Sequence, residues 1–138
     1  MARIEMAITS TAVDGDYGIV DVYYNNVKVE SNLQLVATPI TFNHPVTPIN
    51  GYCTVKVDLL NDKATDSNND GTWDQVMDVR IISAKYAHDD ENFVTMIPHN
   101  GVTFKDELGN DVYFPPAPYL SCWGRDYTRT FPTSKYIP

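Results

Sequence analysis

The stretch YCTVKVDLL, residues 52–60, decides the fold prediction. Its apolar side chains recur at every second position, at Cys53, Val55, Val57 and Leu59. A period of two places these side chains on one face of a β-strand and the intervening polar side chains on the other. The same alternation is seen in QVMDVRIISAKYA, residues 75–87. There Met77, Val79 and Ile81 should be buried while Asp78 and Arg80 face outward.

The neighbouring stretches also predict strands and turns. Residues 18–31 predict a hairpin, because Asn25 and Asn26 tolerate the positive φ that a tight turn needs. Pro39 interrupts LQLVATPITF, residues 33–42, and proline donates no ladder hydrogen bond, so this strand should lie at an edge or break in two. No helix start is evident. About seven to nine short strands with frequent turn signals predict an antiparallel β-sandwich or barrel.

Length and charge restrict the classes of function. A chain of 138 residues is about one domain and can bury one core. Its net charge of −8 argues against nucleic acid and against an anionic membrane surface as partners. No apolar run is long enough to span a bilayer. Glu5 interrupts any signal-peptide core, so we expect the chain to act where it is made.

The C-terminal segment has a different composition. Residues 115–138 hold five of the nine prolines and three basic residues against one acidic residue. Proline disfavours helices and sheet interiors, whereas spaced aromatic side chains need a surface to pack on. We therefore divide the chain into a β-domain at 1–114 and an extended arm at 115–138, which either wraps its own domain or crosses to a neighbour. The candidate partner-binding residues are Tyr119, Trp123, Arg125, Tyr127, Arg129, Phe131 and Tyr136.

Acids and amides alternate in DSNNDGTWD, residues 66–74. A hard cation such as Ca²⁺ takes six to eight oxygen ligands, and Gly71 would permit the sharp turn that brings them together. The stretch matches the start of the EF-hand pattern but has Met77 where that pattern ends in Glu. It more closely resembles the Asp-x-Asn-x-Asp-Gly-x-x-Asp loops of FG-GAP blades. That resemblance implies Ca²⁺ on Asp66, Asn68, Asp70, the Thr72 carbonyl and Asp74, and implies no propeller. The alternative is a polar turn without metal.

Catalysis has little support in the sequence. His88 lies beside Asp89, Asp90 and Glu91, a run that is more typical of a solvated turn than of a proton-transfer pair. No nucleophile elbow, phosphate-binding glycine loop or paired-cysteine zinc pattern is present. Cys53 reads as a small buried hydrophobe, and two free thiols are favoured over a disulfide with Cys122. We therefore expect a protein that is not an enzyme.

The function expected from these features is structural. A small acidic β-sandwich without a signal peptide, carrying a basic aromatic arm, suits a virion component of a tailed phage. Such a protein would be made in the host cytoplasm and act as a capsid decoration (cement) protein or a tail or adaptor protein. Its partners would be copies of itself and other virion proteins. This is a class-level analogy, and it depends on the arm lying on a foreign surface. The alternative is a calcium-stabilised carbohydrate-binding or adhesin-like module.

Overall fold

The computed structural model describes residues 2–50, 52–66 and 68–87, together with the backbone of the strands beyond residue 87. In chain order the strands are β1 (Arg3–Ser10), β2 (Ala12–Val13), β3 (Asp16–Tyr17), β4 (Ile19–Tyr24), β5 (Val27–Gln34), β6 (Ile40–Pro45), β7 (Tyr52–Leu59), β8 (Ala64–Thr65), β9 (Gln75–Val76), β10 (Val79–Ala87), β11 (Val94–Thr95), β12 (Val102–Lys105), β13 (Asp111–Phe114), β14 (Tyr119–Leu120) and β15 (Asp126–Pro132). The described residues form no helix, and hence none long and apolar enough to cross a membrane. The predicted all-β class is confirmed.

Two antiparallel sheets form the body of the protein. The first has the strand order β11-β10-β1-β6, with β14 also paired to β10. The second has the order β15-β7-β4-β5. Three two-stranded ribbons, β2–β3, β8–β9 and β12–β13, complete the described strands. The central strands of the two sheets, β1 and β10 in one and β4 and β7 in the other, supply most of the core between them.

Alternation of apolar side chains explains why this core forms. On β7 the four predicted positions, Cys53, Val55, Val57 and Leu59, are fully buried. Met77, Val79 and Ile81 are also buried, as predicted. In each strand the residues between them are less buried, so the strands contribute one face each. Each such aliphatic side chain stabilises the fold by about 1.5–3 kcal/mol relative to its exposed state.

A β-bulge in β10 changes the alternation halfway along the strand. Ala7 pairs with Ser83, but the next residue, Ile8, pairs with Ile81, so Ile82 is the extra residue. Ile81 is 1% exposed and Ile82 is 38% exposed. After the bulge, Ala84 and Tyr86 return to the core. The bulge thus keeps both halves of a nine-residue strand facing inward.

The predicted turn and the predicted break are both observed. Asn25 and Asn26 have φ of 50° and 65° and connect β4 to β5 in a tight hairpin. The stretch around Pro39 is not one strand: β5 ends at Gln34 in the second sheet, and β6 begins at Ile40 in the first. The chain therefore crosses between the sheets at the proline.

The two ends of the sandwich are built from different connections. At one end, which we call the turn end, the Asn25 side-chain Nδ2 donates to the Thr47 carbonyl at 2.6 Å, and the Val46 backbone amide donates to the Ala2 carbonyl at 2.9 Å. At the other, the loop end, the Gly18 amide donates to Ser10 Oγ at 2.8 Å, and the Thr11 amide donates to the Asp78 carbonyl at 2.9 Å. Eight-residue strands separate the two ends by about 26 Å.

Part of the C-terminal segment pairs with the same chain. All seven residues of β15 pair with β7, from Asp126 opposite Asp58 to Pro132 opposite Tyr52. In β14, Leu120 pairs with Val79 and Tyr119 pairs with Arg80. Beyond these two pairings, whether residues 115–138 wrap their own domain or cross to a neighbour stays a prediction.

Alanine substitutions at two adjacent isoleucines test the position of the bulge. Ile81→Ala should lower the free energy of unfolding by about 2–5 kcal/mol, because it leaves a cavity between the sheets. Ile82→Ala, the matched control, should change it by less than about 1 kcal/mol, since the side chain is partly in solvent. Urea denaturation of the two variants measures both. Equal losses would place both side chains in the core and contradict the register of β1 with β10.

Candidate functional site

Residues 66–74 form the loop of the β8–β9 hairpin, and Asp66 organises it. The Asp66 carboxylate accepts a hydrogen bond from the Asp70 amide at 3.1 Å and another from the Gly71 amide at 2.8 Å. The Asn69 amide donates to the Asp66 carbonyl at 3.2 Å. Asn69 and Gly71 have φ of 52° and 82°, conformations that asparagine and glycine tolerate. Asp66 thus closes a tight polar turn.

These contacts affect the charge state of Asp66. Burial by the loop pushes the pKa of Asp66 up, but the amide hydrogen bonds from Asp70 and Gly71 outweigh it and lower the pKa below its ordinary value. The Thr72 amide similarly donates to the Asp70 carboxylate at 2.9 Å. Both carboxylates are therefore engaged with amides of the loop itself.

The three carboxylates among the predicted calcium ligands, those of Asp66, Asp70 and Asp74, do not form a cluster that could hold a metal ion. Among the described residues, no three histidine, cysteine, aspartate or glutamate side chains are grouped so that they could hold a metal ion. Asp66 and Asp70 accept amide hydrogen bonds, and Asn68, Thr72 and Asp74 are exposed. The hydrogen bonds are those of the polar-turn alternative. Calcium binding stays a prediction for this loop.

Trp73 lies on this loop and is 45% exposed. The backbone beside it is fixed, because the Asp74 amide donates to the Thr65 carbonyl at 2.8 Å across the base of the hairpin. A large aromatic side chain on an ordered loop loses little conformational entropy when it binds. Trp73 is therefore a candidate contact residue at the loop end.

An apolar groove of about 360 Å³ lies at the turn end, and we call it the end groove. Its lining includes Tyr24 and Val27 from the β4–β5 hairpin, and Pro45, Val46 and Ile49 from the connection between β6 and β7. Val27 is 64% exposed and Ile49 is 58% exposed. Adjacent exposed apolar side chains of this kind mark an interaction surface more often than isolated ones do.

A polar cluster beside the end groove joins the two sheets. His44 Nε2 on β6 lies 2.8 Å from Glu30 Oε1 on β5. The Tyr24 ring packs against the His44 ring edge-on, with centroids 6.3 Å apart, and its hydroxyl donates to the Ile4 carbonyl at 3.2 Å. Burial, helped by the Glu30 and Glu5 charges, raises the pKa of Tyr24, so the phenol stays protonated and the wall of the groove stays uncharged.

Charge is distributed unequally between the ends. The loop end carries Lys63 and Arg80 against a larger set of acids, namely Asp14, Asp16, Asp62, Asp66, Asp70, Asp74 and Asp78. Around the turn end the described basic and acidic side chains are equal in number, with Arg3, Lys28, Lys56 and Lys85 against Glu5, Asp21, Glu30 and Asp58, which pairs with Asp21. Lys28 Nζ is 3.2 Å from the Asp21 carboxylate, and Lys63 Nζ is 2.7 Å from that of Asp16. Among the described residues, the acidic excess therefore lies at the loop end.

The predicted partner-binding residues fall in two groups. Tyr119, Tyr127, Arg129 and Phe131 lie in β14 and β15, whose backbones pair with the chain's own sheets. Trp123, Arg125 and Tyr136 lie outside the described residues, as do Cys122 and the run of His88 with its three acids. Cys53 is a free thiol, and burial raises its pKa to about 11, which makes it unreactive at neutral pH.

Comparison of the chain with protein-family models, with characterised proteins and with solved structures gives no match.

The sequence did not indicate the end groove. Val27 and Ile49 are ordinary apolar residues in the sequence, and only the long-range pairing of the strands leaves them side by side and exposed. Trp73 was not among the predicted site residues, since an aromatic residue in a β-protein is more often in the core. Its position after an Asp-Gly turn in a polar loop was the signal for exposure.

Asp66→Ala should lower the melting temperature at pH 7, because it removes the acceptor of two loop amides. The Asp66 pKa is lowered in the folded state, so its contribution is present above the unfolded pKa of about 3.9 and is lost as the pH falls through the folded value. The difference from the unmodified chain should therefore vanish in acid. Asn68→Ala, at an exposed position of the same loop, is the control. An equal effect of both variants would show that the hydrogen bonds to Asp66 are not what orders the loop.

Thermal unfolding of the unmodified chain with and without Ca²⁺ tests whether this loop binds calcium. If the loop is only a polar turn, Ca²⁺ and a chelator should give the same melting curve. Stabilisation by about 2.7 kcal/mol with Ca²⁺ at 100 times its Kd would instead show a bound ion.

Proposed function

We propose that this chain is a structural protein of a large assembly and acts through protein–protein contacts at the ends of its sandwich. The observation that supports this is the end groove, where Val27 and Ile49, the two most exposed large apolar side chains of the described residues, line one surface. Burying exposed apolar area is the main source of association free energy between proteins. No chemistry is needed for such a role.

The class of assembly is proposed by analogy. A small acidic all-β chain is suited to a tailed-phage virion, as a capsid decoration protein or as a tail or adaptor protein. In a symmetric particle, modest contacts are repeated many times, so each can be weak. The partners would be further copies of this chain and other virion proteins, and the chain would be located in the virion.

The contacts that support this proposal differ from those expected from the sequence. The C-terminal segment was expected to supply the anchors by lying on a foreign surface. However, β15 covers the edge of β7 in its own chain along seven residues. The end groove and the loop end support the structural role beside the C-terminal segment, whose contacts with other chains stay a prediction.

Sedimentation tests the structural role. The full chain should be recovered with the high-mass particle fraction rather than as a free chain of 15.5 kDa. A chain ending after Pro132 should behave in the same way, because it keeps β14 and β15. A chain ending after Phe114 should be destabilised, because it exposes the edge of β7. Recovery of the full chain as a free monomer in the presence of the particle would contradict the proposal.

Trp73 also supports a second candidate, a carbohydrate-binding module. An exposed indole presented by an ordered loop can stack on a sugar ring, and the polar side chains around it could orient the hydroxyl groups. Binding of the full chain to a glycan array that is lost with Trp73→Ala and kept with Ile49→Asp would favour this candidate. If the full chain binds no glycan on the array, the structural role is the better proposal.

A further inference from the structure

We propose that residues 133–138, which follow β15, bind in the end groove of their own chain and close it until a partner displaces them. The proposal does not depend on the structural role above, but it adds a competitor at the surface that this role uses. Three observations carry it: the place where β15 ends, the distance from there across the groove, and the apolar side chains within reach.

The end of β15 lies beside the end groove. Pro132, the last residue of β15, is opposite Tyr52, the first residue of β7. Tyr52 in turn exchanges backbone hydrogen bonds with Ile49, at 2.8 and 3.0 Å. Ile49 lines the groove and is 58% exposed. The pairing of β15 with β7 therefore delivers the residues that follow to the turn end, next to one wall of the groove.

The segment that follows β15 is long enough to cross the groove. The second sheet has the order β15-β7-β4-β5, so Val27 at the start of β5 lies three strand spacings, about 14 Å, from β15. Six residues in an extended conformation span up to about 20 Å. Residues 133–138 can therefore reach from Pro132 past Ile49 to Val27 while β15 stays paired with β7.

The chemistry of this segment fits the groove. Its sequence, TSKYIP, contains Tyr136 and Ile137 and no acidic residue. The groove offers these two side chains the exposed apolar surfaces of Val27 and Ile49. The other stretch that starts at the turn end, residues 88–92 after β10, is HDDEN, and its charged side chains would lose their hydration in an apolar groove. Residues 133–138 are therefore the better match.

The size of the groove favours a short segment of the same chain over a whole second subunit. Seven of the described residues line it, whereas a stable contact between two proteins uses about 20–30 residues a side. A tethered segment also binds at an effective concentration on the order of millimolar, which a second copy does not reach in dilute solution. The groove is therefore closed in the free chain, and a partner that uses it must displace Tyr136 and Ile137.

Thiol labelling of the full chain tests the proposal. The new thiol of Ile49→Cys should react with a maleimide at least about 10-fold more slowly when residues 133–138 are intact than when Tyr136→Asp and Ile137→Asp are added, since burial of one large apolar side chain corresponds to about that factor. Val36→Cys is the matched control. This position is 43% exposed and lies at the loop end, where Thr9 donates to its carbonyl, so the two aspartates should leave its labelling rate unchanged.

Peptide mapping after labelling separates each new thiol from Cys53 and Cys122. Equal labelling rates of Ile49→Cys with and without the two aspartates would overturn the proposal. Protection of Ile49→Cys that increases with chain concentration would also overturn it, because the segment in the groove would then come from a second copy. The sedimentation experiment on the structural role is read separately, since its outcome does not depend on whether the groove is open before assembly.

Discussion

The packing of β1 and β10 against β4 and β7 is the constraint on which the rest of the structure depends. Each of these strands contributes an apolar face with a period of two, and a shift of one residue would turn that face to solvent. The bulge at Ile82 shows how strong the constraint is, since the chain inserts an extra residue to keep Ile81 and Ala84 on the same face. Because the inner faces of both sheets are buried in the core, a partner protein can contact only the ends and the outer surfaces.

The ends differ because different chemistry closes them. The loop end is closed by hydrogen bonds from backbone amides to side chains, such as those that Asp66 and Ser10 accept. The turn end is closed by a two-asparagine turn and a proline-containing connection, which leave Val27 and Ile49 in solvent.

The features that were predicted from the sequence are those that a local pattern of residues determines. The alternation around Val55 and Val79, the turn at Asn25 and the break at Pro39 all follow from one residue type in one local setting. The bulge was not predictable, because it depends on the register between β1 and β10, which are far apart in the chain. The pairing of β15 with β7 and the end groove arise in the same way. Composition described residues 115–138 as an arm, but composition carries no information about pairing partners.

Hydrogen–deuterium exchange on the dilute chain and on the assembled protein tests the account most directly, because it asks whether the sandwich is complete before assembly. The account predicts slow exchange in β1, β4, β7 and β10 in the dilute chain, and protection of β15 there as well. On assembly, added protection should be confined to the region of Trp73 and to the end groove. Free exchange of β15 in the dilute chain, with protection only in the assembly, would contradict the account and show that this strand belongs on a neighbouring copy.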